Sequence, residues 1–417
     1  MLVHVRDERG RRLGSALYSS ASQIAIRLLT AEEIDNESLG SLMVERIASA
    51  VKFRHTVVRG RSECKAQAEL PRGMEPEARD DKTNRLNGVA ESASLRVAGN
   101  PTFSPIPENL ASQNRQSTDS YRVVFSEADL LPGLIIDRYK DILAMQVLTQ
   151  AFDREDLRQV VVDSMVEYFP GASFVERVDP HIRELEQLPA RESQLIRGER
   201  SKTIFTVNGV RFHFDGLSGQ KTGAFLDQRE NYAAAARHAH GVALDCFTYQ
   251  GGFALHLARV CDAVTAVDLS RPALEVAEQN EHINRAGHCS GEIEWIEGNA
   301  FDLLKDYAAA GREYDTIVLD PPAFAKTRRA VPTALRGYKE LNLRALKMLR
   351  PGGLLITCSC SFHVSEAEFL EMLSTAAADV SRRVRILERR GASGDHPVLL
   401  NIPETSYLKC MLAEILG

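Results

Sequence analysis

A chain of 417 residues, 44% hydrophobic and 26% charged, is long enough for two or three domains with cores of their own. Its net charge of −6 argues against coating nucleic acid by bulk charge, though not against a local basic patch. No apolar run approaches the roughly 18 residues that span a bilayer, and residues 1–6 lack the basic-then-apolar layout of a secretory signal, so a cytoplasmic chain with no membrane association is expected.

The first 30 residues alternate in polarity, which predicts short strands at 2–5, 13–18 and 23–29, with a turn at Arg9-Gly10-Arg11. From Glu37 to about Val58, apolar residues including Leu39, Met43, Ile47 and Val51 recur near helical spacing and predict a helix. Between about residues 62 and 118, prolines, glycines and polar residues break both periodicities. Such a segment buries too little apolar area to offset its backbone entropy, and a disordered insertion is expected.

Order resumes with strands at 121–125, 134–139 and 142–148, the second entered through Leu131-Pro132-Gly133. Asp153 is the expected cap of a helix reaching about Tyr168, and 174–177 reads as another strand. A hairpin, 203–207 with 211–214, closes around Asn208-Gly209. From about Asn231, strands at 242–245, 263–268, 293–296, 316–320 and 354–357 alternate with helices. Continuously apolar strands with acidic ends indicate a parallel sheet buried on both faces. Ligands of such sheets sit at the carboxyl ends of the strands.

The run Asp245-Cys246-Phe247-Thr248-Tyr249-Gln250-Gly251-Gly252-Phe253 leaves the first of these strands, and its glycines let the backbone approach a ligand. Phe247 and Tyr249 stand where a dinucleotide site needs glycine. That disfavours a pyrophosphate and leaves a smaller cofactor without phosphate. Asp268, at the end of the second strand, is placed to accept both ribose hydroxyls, with a helix cap before Ser270 as the bland alternative. Asn299, in Gly298-Asn299-Ala300-Phe301, is read as bonding an adenine edge while apolar neighbours such as Ala300 cover its face; a purely structural role is the rival. An adenosine without phosphate beside a methyl-transfer site predicts S-adenosylmethionine.

Asp320-Pro321-Pro322-Ala323-Phe324-Ala325 caps a later strand. Its two prolines hold a rigid turn that lacks backbone donors and presents a planar base with a carboxylate and carbonyls. Cys360, in Thr357-Cys358-Ser359-Cys360-Ser361, ends the next strand. A thiol and a carboxyl at one end of a sheet suit methylation of cytosine at C5. The thiolate adds to C6 and makes C5 an enamine-like nucleophile, protonated Asp320 stabilises the charge developing at N3, and a base removes the C5 proton before the thiol leaves. Cys358 lies deeper, and with the cysteines at 64, 246, 261, 289 and 410 it reads as packing. Seven cysteines without a C-x-x-C pair favour neither a disulfide framework nor a zinc site.

Lys326, Arg328, Arg329, Arg336 and Lys339 follow the Asp-Pro-Pro run and are expected to contact phosphates, while Pro321, Pro322 and Phe324 seat the base. Arg382, Arg383, Arg385, Arg389 and Arg390 form a second basic group, readable as a solvated face or a phosphate contact.

At these residues the chain resembles the bacterial 23S rRNA cytosine-C5 methyltransferases of the PUA-domain type, a class I S-adenosylmethionine family. The likeness takes in Gly219-Gln220-Lys221-Thr222-Gly223-Ala224-Phe225-Leu226-Asp227-Gln228-Arg229, the Asp245 and Asp320 runs, Arg336-Gly337-Tyr338-Lys339, Ser359-Cys360-Ser361 and Asp395-His396-Pro397. It spans nearly all of 121–417. It implies that Phe225, Asp227, Gln228 and Arg229 join the cofactor pocket read from Asp245, Phe247, Gly251, Asp268, Asn299, Ala300 and Asp320, and that Cys360 is the nucleophile. His396 is expected to be a buried turn residue rather than the base. Two departures stand out: residues 14–18 and 22–27 match only the latter half of the family's PUA module, and Ala323 replaces the cysteine that another group of RNA cytosine methyltransferases carries after the prolines.

The expected architecture is α/β: a partial PUA-like β module at 1–35, a central α/β domain at 36–205 with the insertion at 62–118, and a Rossmann-like class I methyltransferase domain at 206–417. The expected activity forms 5-methylcytosine in 23S rRNA, free or in a large-subunit assembly particle, with a second copy of the chain as one option for a further partner. A guanine methyltransferase using the Asp-Pro-Pro platform without a thiol, and a non-catalytic RNA-binding or assembly factor, are the rivals.

Overall fold

The computed structural model describes residues 1–22, 24–59, 118–218, 223–285 and 291–417. The expected insertion, apart from Thr118, lies outside the described residues, as do Gly219 to Thr222 of the family-like run and Cys64 and Cys289.

Strands β1 (Leu2–Arg6), β2 (Arg12–Tyr18) and β3 (Ile26–Thr30) pair antiparallel in that order. Helix α1 (Asn36–Arg59) follows, and its apolar stripe of Leu39, Met43, Ile47 and Val51 is buried. That stripe packs with Val123, Leu134, Ile136 and Met145 of a five-stranded sheet. The sheet consists of β4 (Ser120–Phe125), β5 (Leu134–Tyr139), β6 (Ile142–Val147), β7 (Ser173–Glu176) and β8 (Gln194–Arg197), paired in chain order. Only β6 and β7 pair in parallel, across the crossover helix α2 (Glu155–Tyr168); α3 (Pro180–Leu185) lies between β7 and β8. Asp153 does not cap α2. Its carboxylate is taken by Arg158 and Arg183, and Arg154 occupies the cap position without a side-chain bond. Two guanidiniums outbid the neutral backbone N–H groups a cap would satisfy.

The hairpin β9 (Lys202–Val207) and β10 (Val210–Asp215) forms where Asn208-Gly209 predicted it. β9 runs through the expected 205/206 division, and Phe214 stacks on Tyr139 of β5 at 4.0 Å between ring centroids. The hairpin therefore packs on both sides of that boundary.

The carboxyl-terminal region is a seven-stranded sheet with helices on both faces. Its elements are α4 (Arg229–His238), β11 (Val242–Cys246), α5 (Gly252–Leu257), β12 (Ala263–Asp268), α6 (Arg271–Asn284), β13 (Glu292–Glu297), α7 (Ala300–Ala309), β14 (Tyr314–Leu319), α8 (Val331–Met348), β15 (Leu349–Ser359), α9 (Glu366–Asp379), β16 (Arg383–Arg390) and β17 (Lys409–Leu416). The strand order is β13-β12-β11-β14-β15-β17-β16, with the first five parallel and β17 antiparallel to both neighbours. Apolar side chains fill both faces, as a buried parallel sheet requires. This is the class I methyltransferase fold.

Strands β16 and β17 have no counterpart in the sequence reading. The second basic group is mostly β16, an edge strand in which Arg383, Arg385 and Arg389 are exposed while Val384 and Ile386 turn towards the core. A charged edge of this kind resists pairing with another chain. No helix among the described residues is long and apolar enough to cross a membrane.

Candidate active site

Leaving β11, the chain turns sharply through three left-handed residues, Phe247 (φ +67°), Tyr249 (φ +51°) and Gly251 (φ +85°). At Gly252 a Cβ would stand 2.5 Å from the Tyr232 hydroxyl, so no larger residue fits. Asp245 lies beneath this loop, fully buried. Its Oδ2 accepts from Thr248 Oγ1 at 2.6 Å and from the Ala254 amide at 2.9 Å, while Oδ1 is buried without a hydrogen-bond partner among the described residues. Burial, helped by Asp320 and Asp268 and opposed by those two bonds, raises its pKa to about 7. Asp268 ends β12 and uses both oxygens on backbone: Oδ2 accepts from the Tyr249 amide at 2.9 Å, Oδ1 from the Ser270 amide at 2.8 Å. Ser270, not Asp268, caps α6.

Asp320 follows β14. Its Oδ1 accepts from Gln228 Nε2 at 2.9 Å. The orientation of that amide is dictated from a distance. Arg390 Nε, which can only donate, bonds Asn231 Oδ1 at 2.8 Å. Asn231 must then turn its nitrogen to the Gln228 Oε1 at 2.7 Å and to the Gly391 carbonyl at 3.0 Å. Gln228 is left with its own nitrogen facing Asp320. A guanidinium on β16 thus fixes which atom of Gln228 meets the carboxyl.

Cys360 follows β15 and is half-buried, with its Sγ 3.8 Å from the Pro321 carbonyl. Around it the backbone is held by neutral hydroxyls. Ser359 Oγ donates to Tyr338 Oη at 3.0 Å, Tyr338 Oη and Ser361 Oγ are 2.9 Å apart, and the Ala325 amide donates to Ser361 Oγ at 3.1 Å. Tyr338 therefore joins the Cys360 turn to the Asp-Pro-Pro turn. Cys358 is fully buried, and burial, with Cys410 and Asp320 nearby, pushes its thiol well above the ordinary range.

The opposite wall rests on Asp395. Its Oδ1 accepts from Arg229 at 2.9 Å and its Oδ2 from the Arg122 amide at 2.7 Å, while its carbonyl accepts two bonds from the buried Arg54 of α1. Burial alone would raise this carboxyl, but Arg229 and His396 outweigh it and hold the pKa far below the usual carboxylate range. Next to it, Ser393 donates to the Asp227 carbonyl, and Tyr407 donates to Asp227 Oδ2 at 2.6 Å. His396 is buried against Phe125 and does not line the cleft.

These walls enclose a cleft of about 330 Å³. Cys360, Asp320, Pro321 and Pro322 line it, together with Phe225, Asp227, Gln228, Arg229, Phe247 and Asp268. Asp245, Gly251, Asn299 and Ala300 do not. Asp245 is buried beneath the loop after β11, Gly251 ends that loop facing Trp295 and Leu255, Ala300 is in the core, and Asn299 caps α7 by accepting from the Phe301 amide at 2.9 Å. Phe324 packs on Tyr338 beside the cleft, at 4.7 Å between ring centroids. Lys326 and Arg336 are exposed away from its lining, and Lys339 is spent on Asp379 of α9 at 2.7 Å. A larger cavity of about 680 Å³ under the hairpin shares Tyr249, Gln250 and Ser270 but contains neither Asp320 nor Cys360. The sequence reading missed Tyr338, Asn231, Arg390 and Asp395 as site-building residues. Two of them stood inside family-like runs, which was the one signal available.

Comparison with known proteins places residues 183–404 on a family model described as S-adenosylmethionine-dependent methyltransferase. The chain is 38% identical over 304 residues to the ribosomal RNA large subunit methyltransferase I of Shewanella denitrificans, covering 72% of this chain and 75% of that one. It is 35% identical over 306 residues to the protein of the same name from Yersinia pseudotuberculosis, covering 72% and 76%. In fold it is similar to SMU.776, a proposed methyltransferase solved with SAH, at a TM-score of 0.72 and 17% identity over 99% of this chain and 91% of that one.

Proposed function

The chain belongs to the S-adenosylmethionine-dependent methyltransferases, in the family of the ribosomal RNA large subunit enzymes, and from that premise we propose that it forms 5-methylcytosine in 23S rRNA through a covalent bond from Cys360. The cofactor supplies an electrophilic sulfonium methyl when bound. The pocket suits it on chemical grounds. The buried Asp245 Oδ1 wants a donor, and the Asp268 carboxylate stands at the cleft.

The observation that carries the reading is the meeting of a half-buried thiol and a carboxyl in one cleft, with Sγ 3.8 Å from the carbonyl of the residue after Asp320. Cytosine C5 is a poor nucleophile until a thiolate adds to C6. In this reading Cys360 Sγ makes that bond and the C5=C6 double bond opens towards C5, which would take the methyl group while the sulfonium sulfur would keep the electron pair of the broken S–CH3 bond as a neutral thioether. Asp320 holds a proton at N3 on the oxygen that Gln228 does not use, because Oδ1 is committed to accepting. A base then takes the C5 proton, the double bond re-forms, and Cys360 leaves as thiolate. The base is flipped from its stack to reach the cleft, and the rigid Pro321-Pro322 turn supplies its platform.

Incubation with cofactor and rRNA carrying 5-fluorocytosine tests the reading, since fluorine at C5 blocks the last elimination. The expected result is a protein–RNA adduct that is absent in Cys360→Ser, with methyl transfer to ordinary rRNA also lost in that variant. An active Cys360→Ala enzyme would overturn it and favour a guanine acceptor on the same platform.

A further inference from the structure

Lys409 opens β17 and stands opposite Ser359 of β15 in the antiparallel register. It is only 6% exposed. Its ammonium donates to the Ser361 carbonyl at 2.7 Å and to the Tyr407 carbonyl at 2.9 Å. The lysine is thereby tied to the residues on both sides of Cys360. Among the described residues no carboxylate comes within ion-pair distance of its Nζ; the nearest acids are already engaged. Glu368 closes a capping box with Ser365, and Glu366 pairs with Arg389 at 3.7 Å. A buried ammonium held only by neutral carbonyls is an unfavourable arrangement unless an anion forms beside it.

Several charged or titratable groups surround this corner: Cys360 on the turn after β15, Glu366 and Glu368 at the start of α9, Arg328 before α8, Tyr338 on α8, Arg389 on β16 and Asp320 on the adjoining Asp-Pro-Pro turn. Burial lowers the Lys409 pKa to about 8, and of the groups that push it back up Cys360 comes first, ahead of Glu368 and Glu366. The ammonium's bond to the Ser361 carbonyl holds it one residue along the chain from the thiol.

We propose that Lys409 is a positioning residue whose buried ammonium holds Cys360 as a thiolate. Its purpose rests on the cytosine reading, but its effect on the thiol is measurable without RNA. Cys360 gives its proton to solvent through the open cleft, Lys409 keeps its own, and the attractive field of one charge on the other lowers the energy of the ionised sulfur. No redox step is involved.

The test is the pH dependence of iodoacetamide alkylation of the full chain without ligands, followed at the Cys360 peptide by mass spectrometry, so that other cysteines do not contribute. Lys409→Met removes charge and donors; Lys409→Gln removes charge but still donates; Lys409→Arg keeps both, and a neighbouring cavity of about 320 Å³ leaves room for it. In the Met and Gln variants the pH of half-maximal alkylation should rise by about one unit, a roughly tenfold lower thiolate fraction at neutral pH, with Lys409→Arg close to wild type. If Lys409→Met does not fold, Lys409→Gln decides. An unmoved profile in a folded neutral variant, or an equal shift in Lys409→Arg, overturns the proposal. A shifted profile in a protein that never forms the fluorocytosine adduct would instead uphold the lysine–thiol pairing and sink the cytosine reading.

Discussion

The wall of the cleft that carries Gln228 and Arg229 is anchored by ion pairs, whereas the wall that carries Cys360 and the Asp-Pro-Pro turn is anchored by neutral hydroxyls and one buried ammonium, that of Lys409. On the first, Asp395 gathers Arg229, the Arg122 amide and Arg54 from three separate stretches of chain. On the second, Tyr338 gathers Ser359 and Ser361, and Ser361 in turn holds the Ala325 amide. The difference follows from what each wall does. The ionic wall joins the central sheet to the methyltransferase sheet, where a buried charge network fixes one arrangement and rejects others. The hydroxyl-held wall surrounds the Cys360 sulfur and its ionic anchor is a cation, Lys409, so that a thiolate formed there, as the proposed mechanism requires, meets no fixed carboxylate among its anchors.

Breaking the ionic anchor should have the largest effect on stability. Asp395→Ala leaves the buried Arg229 guanidinium without its carboxylate and the Arg122 amide without its acceptor, and is expected to cost about 3–5 kcal/mol in denaturant unfolding. The pH dependence follows from the sign of the shift. A carboxyl whose folded pKa lies below its unfolded value of about 3.9 stabilises the fold above that pH and loses the contribution as pH falls towards the folded value. Wild type should therefore lose stability below about pH 4 more steeply than Asp395→Ala, and parallel acid titrations would count against the ionic anchor.

The relay from Arg390 to Asp320 sharpens the comparison, because it carries the ionic wall's influence across the cleft. Asn231→Asp keeps shape and the bond to Arg390 but places an acceptor against Gln228 Oε1, so Gln228 turns its oxygen towards Asp320. A roughly tenfold fall in kcat is expected, with cofactor affinity by calorimetry changed less than about twofold. Equal kcat values would show that the amide orientation is immaterial.

The smallest effect belongs to the hydroxyls of the Cys360 wall. Tyr338→Phe removes one hydroxyl from a cluster that can partly re-pair, and thermal unfolding should register a loss of about 1 kcal/mol. A loss as large as that of Asp395→Ala would erase the distinction between the walls.

What was legible in the sequence tracks how local each signal is. Strands β11, β12, β14 and β15 announce themselves as apolar runs, because a strand buried on both faces needs no alternation. β16 was hidden by its arginines, which made an alternating edge strand look like a charge cluster, and β17 reads as an apolar stretch with no turn to mark it. Asp320 and Cys360 stood out because a carboxyl and a thiol at strand ends are rarely packing residues. The second layer was illegible for a physical reason. Asn231, Arg390, Tyr338 and Lys409 act through hydrogen bonds to residues between 2 and 160 positions away, which no spacing encodes. Lys339 shows the converse error: close to the Asp-Pro-Pro turn in sequence, it is turned by its helix towards Asp379.

The loop after β11 has a consequence for any attempt to make this protein sturdier. Phe247 and Tyr249 are large side chains on backbone that glycine would adopt at less cost, and both face the cleft. Glycine at either place would relax the main chain while stripping an aromatic surface from the cleft. Selection for heat tolerance alone would drift towards those glycines and leave a robust protein with a poorly shaped receptacle.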